Sequence, residues 1–218
     1  MSSDLPIETL APVESNGPGG APRPGGADHP MRVITRRIAI DREWTHDMQH
    51  EVRALFDQLA PEWDATRRTP ERIACLDDAF DRTGYDSSAA RCLELGAGTG
   101  IFTEAISARC DHTTSVDLSH SMLVQAPSDA GGLVVGDGSV LPFADGSFDL
   151  AVLVNMFLFV DELERVLSDE AAIIWFNSRG PETPIHLTTE EVLTALSPGW
   201  SAVESRRGTA TWALLRRT

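Results

Sequence analysis

Lysine is missing from this 218-residue chain: its 18 basic residues are all arginine, set against 33 acidic ones. A formal charge of -15 repels both a phosphate backbone and an anionic lipid surface, so neither nucleic acid nor a membrane is an expected partner. Long apolar runs are also absent. The longest, Leu150 to Val160, is broken by Asn155 and falls far short of the roughly 20 residues that cross a bilayer. Cysteine is scarce, and Cys75, Cys92 and Cys110 lack the close paired spacing that builds a zinc site or a redox turn. They read as reduced thiols, and no metal is expected. The opening MSSDLPIETLAPVES has neither the basic start nor the apolar stretch of a secretory signal, so the expected location is the cytoplasm.

With 42% hydrophobic and 23% charged residues, the chain has the composition of an ordinary folded domain, and its length suits one. The stretch GPGGAPRPGG at 17–26 offers no side chains to pack, so residues 1–35 are expected to form a disordered Gly/Pro-rich tail. Met48, Val52, Leu55, Phe56 and Leu59 repeat at helical spacing before Pro61, and Ile73, Leu76 and Phe80 repeat the pattern over 71–82. Residues 36–85 are therefore read as a helical cap.

From residue 86 to 218, short apolar runs at 92–95, 113–116, 133–135, 148–154 and 171–176 alternate with helical or loop segments. That alternation predicts an α/β fold, a doubly wound and mostly parallel sheet of Rossmann-like type. A further helix is expected over 188–196. Residues 200–205 and 211–215, separated by RRGTA, predict a C-terminal antiparallel hairpin at the sheet edge.

The strongest local signal is CLELGAGTG at 92–100, an apolar strand ending in Gly96, Ala97, Gly98 and Gly100 ahead of Ile101, Phe102, Ala105 and Ile106. Glycine lets a backbone turn sharply and approach a ligand closely, although a strand-to-helix turn without a ligand has the same look. The spacing G-x-G-x-G differs from the G-x-G-x-x-G of dinucleotide loops, which weighs against NAD. Asp117 in VDLS stands 21 positions after Gly96, where nucleotide folds place a ribose-binding carboxylate; a helix cap is its plainer role. Asp137, in GDGSVLPFADGSFDLAVL, could accept an adenine amine.

Together these segments resemble the class I S-adenosylmethionine-dependent methyltransferases, in particular the group around ubiquinone and menaquinone biosynthesis. ELGAGTG, VDLSHSML, GDGSVLPFADGSFDLAVL and ERVL follow that pattern in order, LFDQLAPEWD is similar to the family's cofactor-capping segment, and the likeness covers roughly residues 52–215. The resemblance implies S-adenosyl-L-methionine as cofactor. It implies that Glu94 and the 96–100 loop hold the methionine end and that Asp117 holds the ribose. Leu118 and Met122 would flank the adenine, Asp137 and Gly138 would read its edge, and Asn155 would lie under the methionine, with Trp63 in the cap. Leu118 and Met122 are equally plausible as core. Where relatives carry RVLrPGG, this chain has RVLSDEAAIIWF, so the turn before that strand lacks its glycine pair.

Methyl transfer from a sulfonium is an in-line displacement, for which holding the acceptor aligned and dry is the main task. The apolar VNMFLF stands where amine-methylating enzymes carry a polar motif, which points to a small-molecule acceptor of apolar or aromatic character. His186, in PETPIHLTTEE, is the foremost candidate base, ahead of His46 and His50; His112 and His120 read as structural. A small-molecule methyltransferase is the expectation, with a non-catalytic binding or regulatory protein of the same fold as the alternative.

Overall fold

Near-continuous apolar runs suit strands that are covered on both faces, and Phe148–Val154 is one of them, at the middle of the sheet. A computed structural model of the chain describes residues 5–14, 29–127 and 132–217. Its strands are β1 (Ile7–Thr9), β2 (Arg91–Leu95), β3 (His112–Asp117), β4 (Gly132–Val135), β5 (Phe148–Val154), β6 (Leu167–Asn177), β7 (Trp200–Arg207) and β8 (Ala210–Arg217). They form one sheet of order β1-β7-β8-β6-β5-β2-β3-β4. Neighbours run parallel except around β8, which is antiparallel to both β6 and β7. The α/β fold with its C-terminal hairpin is therefore as expected.

The helices are α1 (Pro30–Ala39), α2 (His46–Leu59), α3 (Trp63–Arg67), α4 (Pro70–Arg82), α5 (Thr103–Ser107), α6 (His120–Leu123), α7 (Val160–Val166) and α8 (Thr189–Ala195). On one face of the sheet, Leu163 of α7 and Val192 of α8 pack on Leu93, Leu153 and Ile173. On the other face, Leu76 and Phe80 of α4 and Ile106 of α5 pack on Leu150, Ile174 and Trp212. A third cluster joins Met31, Ile38, Met48 and Val52 of α1 and α2 to Phe157, Phe159 and Ile185. This cluster seats the cap over the carboxyl ends of the strands. There the chain order reverses between β2 and β5, the place where open α/β sheets bind ligands.

The N-terminal region differs from expectation. Residues 1–35 are not uniformly without structure: Ile7–Thr9 pairs in parallel with Ala202–Glu204, and Val13 bridges Arg207. The physical reason is the open edge of β7, whose backbone groups need partners that a short strand can supply with little apolar pattern of its own. Helix α1 also begins inside the expected tail. Met31, Thr35 and Ile38 are buried on one face, Pro30 opens the first turn, and the His29 imidazole caps Met31 N–H. The Gly/Pro run at 17–26 lies outside the described residues.

The helices expected as a cap over 36–85 also differ in where they pack. Helix α4 belongs to the sheet layer, where Asp78 accepts a 2.8 Å hydrogen bond from the Trp212 indole of β8. At the RVLSDE segment the chain passes from α7 straight into β6, and the missing glycine pair is replaced by a register shift opposite Phe148 and Leu150. Among the described residues no helix is long and apolar enough to cross a membrane.

Candidate active site

Above the reversal point lies a cavity of about 1230 Å³, larger than the usual 300–1,000 Å³ of a small-molecule site. Its near wall is the loop after β2. Gly96, Gly98 and Gly100 have φ of +80°, +58° and +72°, the left-handed region that other residues enter only at a cost. That sequence of turns brings the Gly98 N–H to Asp117 Oδ2 at 2.7 Å, and the Ser119 N–H meets Oδ1 at 2.8 Å. Asp117 lines the cavity, and with one such backbone donor on each oxygen the carboxylate retains acceptor capacity, the chemistry a pair of vicinal hydroxyls needs. Burial holds the Asp117 carboxyl above its ordinary value against these backbone donors. A Cβ at Gly98 would meet only the Trp63 indole nitrogen, at 4.0 Å, so the loop leaves a cradle open under that ring.

Trp63 is held between two neighbours, with the Arg67 guanidinium 3.8 Å above its ring and the Phe56 ring edge-on at 5.7 Å. Trp63, Gly96, Ala97, Gly98, Asp117, Leu118, Met122, Asp137, Gly138 and Asn155 all line the cavity. Met122 is also 1% exposed, so its core reading and its lining role coexist. Asn155 has φ of +50° and clasps β6: its amide donates to Ser178 Oγ at 3.0 Å and its carbonyl accepts from Ser178 N–H at 2.8 Å.

Three expected site residues do not line it. Glu94 is 2% exposed and accepts from the hydroxyls of Thr103 (2.6 Å) and Ser115 (2.7 Å). It ties α5 and β3 to the end of β2, so it positions the glycine loop from beneath. Burial pushes its carboxyl up to about 7, against those two donors. Gly100 turns the chain into α5, where a Cβ would press on Ala126 and Pro127. His186 is buried beside Arg32, off the cavity wall, with Nδ1 unpartnered among the described residues. Burial, then the nearby Arg32, lower its imidazole to about 4. A base must reach its proton, and this ring faces packed protein instead. His46, His50, His112 and His120 are exposed.

Sequence reasoning missed the clasps between cap and loops. Asp64 of α3 takes a hydrogen bond from the Thr99 hydroxyl on the first loop. Asp57 of α2 accepts from Ser119 Oγ at 2.5 Å and Ser121 N–H at 3.3 Å, at the start of α6; the Ser119 contact holds its carboxyl below the ordinary range. Asp137 Oδ2 accepts from the Trp44 indole at 3.0 Å and the Gln49 amide at 2.6 Å, while Ser139 N–H meets Oδ1 at 2.8 Å. The carboxylate expected to read an adenine amine is therefore already engaged by the cap. The eight-residue interval between Gln49 and Asp57 puts both on one helical face, a polar pair that the apolar pattern of α2 masked.

Comparison with known proteins agrees with this geometry. Residues 93–173 match the family model described as a methyltransferase domain. A demethylmenaquinone methyltransferase of Mycolicibacterium vanbaalenii is 30% identical over 171 residues, covering 72% of this chain and 73% of that protein. The chain belongs to the class I S-adenosylmethionine-dependent methyltransferases. A malonyl-[acyl-carrier protein] O-methyltransferase of Geobacter sulfurreducens is 32% identical over 137 residues, covering 58% of this chain and 49% of that protein; the chain thus spans about half the length of that relative. Among solved structures, the complex of DhpI with SAH superposes with a TM-score of 0.65 at 19% identity, covering 80% of this chain and 98% of that one. This last likeness is one of fold.

The family's cofactor is S-adenosyl-L-methionine, and the donor set fits it. A glycine cradle, a half-buried carboxylate with acceptor capacity to spare and the apolar Leu118 and Met122 line the same cavity. Among the described residues no cluster of His, Cys, Asp or Glu could hold a metal ion.

Proposed function

We propose that this protein transfers a methyl group from S-adenosyl-L-methionine to a small apolar or aromatic acceptor by direct displacement. The observation that carries the reading is one cavity of about 1230 Å³ that is lined both by the glycine loop, Asp117 and Asp137 and by the apolar Met31, Phe157 and Ile185. S-adenosyl-L-methionine, when bound, supplies an electrophilic methyl on a sulfonium. The chain supplies position and dryness. Asp117 offers its free lone pairs to ribose hydroxyls, the 96–98 backbone offers close approach, and Trp63 covers the loop. Trp44, packed edge-on to Phe159 at 5.3 Å and tilted to Phe157 at 6.0 Å, covers the cavity beside Asp137 against water.

His186, the expected base, lies off the cavity, and the His29 imidazole on its wall is occupied in capping α1, which supports proximity and desolvation as what carries the reaction. The relatives' names, for demethylmenaquinone and for malonyl-[acyl-carrier protein], agree with acceptors other than nucleic acid. The test is incubation with methyl-labelled S-adenosyl-L-methionine and the small-molecule fraction of a cell extract. Label should move to a small molecule. Binding of S-adenosylhomocysteine without any transfer would instead mark a non-catalytic binding protein.

A further inference from the structure

The cavity also holds a group of arginines, interleaved with Glu14, Glu71 and Glu182. Beyond β5, away from the two aspartates, its wall is formed by the end of β6, the loop that follows, α4 and the turn between β7 and β8, and there it carries Arg72, Arg179, Arg206 and Arg207. In a chain of net charge -15 this concentration of guanidinium groups runs against the general field.

Three of the four are committed within the protein. Arg206 pairs with Glu14 at 3.2 Å, Arg207 faces Asp78 at 3.8 Å and Glu71 at 3.9 Å, and Arg72 donates to Ser178 Oγ at 2.5 Å and to the Arg67 carbonyl at 2.9 Å. Arg179 differs. It is half-buried on the cavity wall, and among the described residues its guanidinium makes no hydrogen bond or ion pair; Glu182 shares the wall without pairing with it.

The backbone that carries Arg179 is held from several sides. Ser178 is clasped by Asn155, Arg179 N–H donates to Thr183 Oγ1 at 3.2 Å, and Glu182 N–H returns to the Arg179 carbonyl at 3.0 Å. Gly180 has φ of +50°, and a Cβ there would stand 2.6 Å from the Thr209 carbonyl, so the loop lies directly against the β7–β8 turn. A planar five-donor group on such a fixed platform matches a carboxylate bidentately, and ordering it costs little further entropy. The same cavity wall also carries the apolar Ile185, two residues beyond Thr183, and Phe157, which packs with it.

We propose that the acceptor is an apolar acid, whose anionic group pairs with Arg179 at the end of β6 while its body lies on Phe157 and Ile185. This rests on the methyltransferase reading, which it makes narrower. The cofactor's own carboxylate is another anion that would enter the cavity, and because Asn155 at the end of β5 hydrogen-bonds Ser178 next to Arg179, the S-adenosylhomocysteine affinity of the variant decides between the two.

The test uses 2-naphthoic acid and its uncharged primary amide, titrated by calorimetry into protein saturated with S-adenosylhomocysteine. The acid should bind the natural protein at least about tenfold more tightly than the amide, the size expected of a charge-assisted pair. Arg179→Gln should reduce that ratio to about threefold or less, with amide and S-adenosylhomocysteine affinities unchanged, and Arg179→Lys should restore part of it. Because the side chain makes no internal bond, the variants should fold normally, which their unchanged S-adenosylhomocysteine binding will report. An acid that binds no better than the amide, or a variant that loses S-adenosylhomocysteine and keeps the acid preference, overturns the proposal. Failure of the natural protein to bind S-adenosylhomocysteine would instead remove the methyltransferase reading itself.

Discussion

The two ends of the cavity are built from different materials. At the end proposed for the cofactor the candidate groups are backbone amides and two aspartates at consecutive strand ends, beside turns that need glycine at 96, 98 and 100. At the acceptor end they are side chains from α1, the end of β6, the following loop and the β7–β8 turn, far apart in the chain. Backbone geometry tolerates little change, so the first end can serve a whole family. A wall of side chains changes with each substitution, so the second can specialise while the fold stays constant.

The sharpest way to break this contrast is Asp117→Ala. On the proposed reading it would remove the acceptor of two ribose hydroxyls, each charge-assisted bond being worth about 1.5–3 kcal/mol. Affinity for S-adenosylhomocysteine should fall at least about a hundredfold by calorimetry, with binding of 2-naphthoic acid to the unliganded protein unaffected. An unchanged S-adenosylhomocysteine affinity would take the ribose away from β3.

Glu94 tests the support beneath the loop. Its folded value of about 7 stands above the ordinary 4.5, so between these values the folded protein keeps a proton that the unfolded chain has released. The contribution is complete below about pH 4.5 and declines as pH rises through 7, by about 3 kcal/mol in total. Urea melts of the natural protein and Glu94→Gln should therefore converge at low pH and separate in this window, the variant being the flatter of the two. Parallel profiles would show that the buried carboxyl is ionised throughout.

A third comparison sets Trp63→Ala against His186→Ala once an acceptor is in hand. The indole covers the loop and should cost turnover about tenfold or more, whereas the imidazole, off the cavity wall, should change it by less than about threefold. A general-base role would cost about 10²- to 10⁴-fold. The pH signature of His186 belongs to stability instead: its folded value of about 4 lies below the ordinary 6.5, so the contribution is lost as pH falls through that interval.

The smallest effect concerns the cap. Gln49 occupies Asp137 Oδ2 at 2.6 Å, where an adenine amine would also donate. Gln49→Leu should raise S-adenosylhomocysteine affinity about threefold by removing a competitor, in keeping with the worth of one such bond. Weaker binding would show that the amide orients the carboxylate for the ligand rather than competing with it.

Sequence alone determined most of the sheet, β1 apart, and where the glycine loop and Asp117 stand along it. The strands were legible because burial on both faces demands continuous apolar runs, as in Phe148–Val154, and the loops because each motif is contiguous and its glycines follow from local backbone geometry. Local pattern also exposed α2 and α4 by their apolar spacing. What it did not carry was any property set by distant partners. Strand β1 exists because β7 leaves an edge to pair, the engagement of Asp137 depends on where α2 lands, and His186 was drawn off the cavity by packing against α1. Arg179 looked like any other arginine. Only the tertiary structure surrounds it with committed neighbours and leaves it facing the cavity, because whether a charge is spent or available depends on what other segments bring within a few ångströms of it.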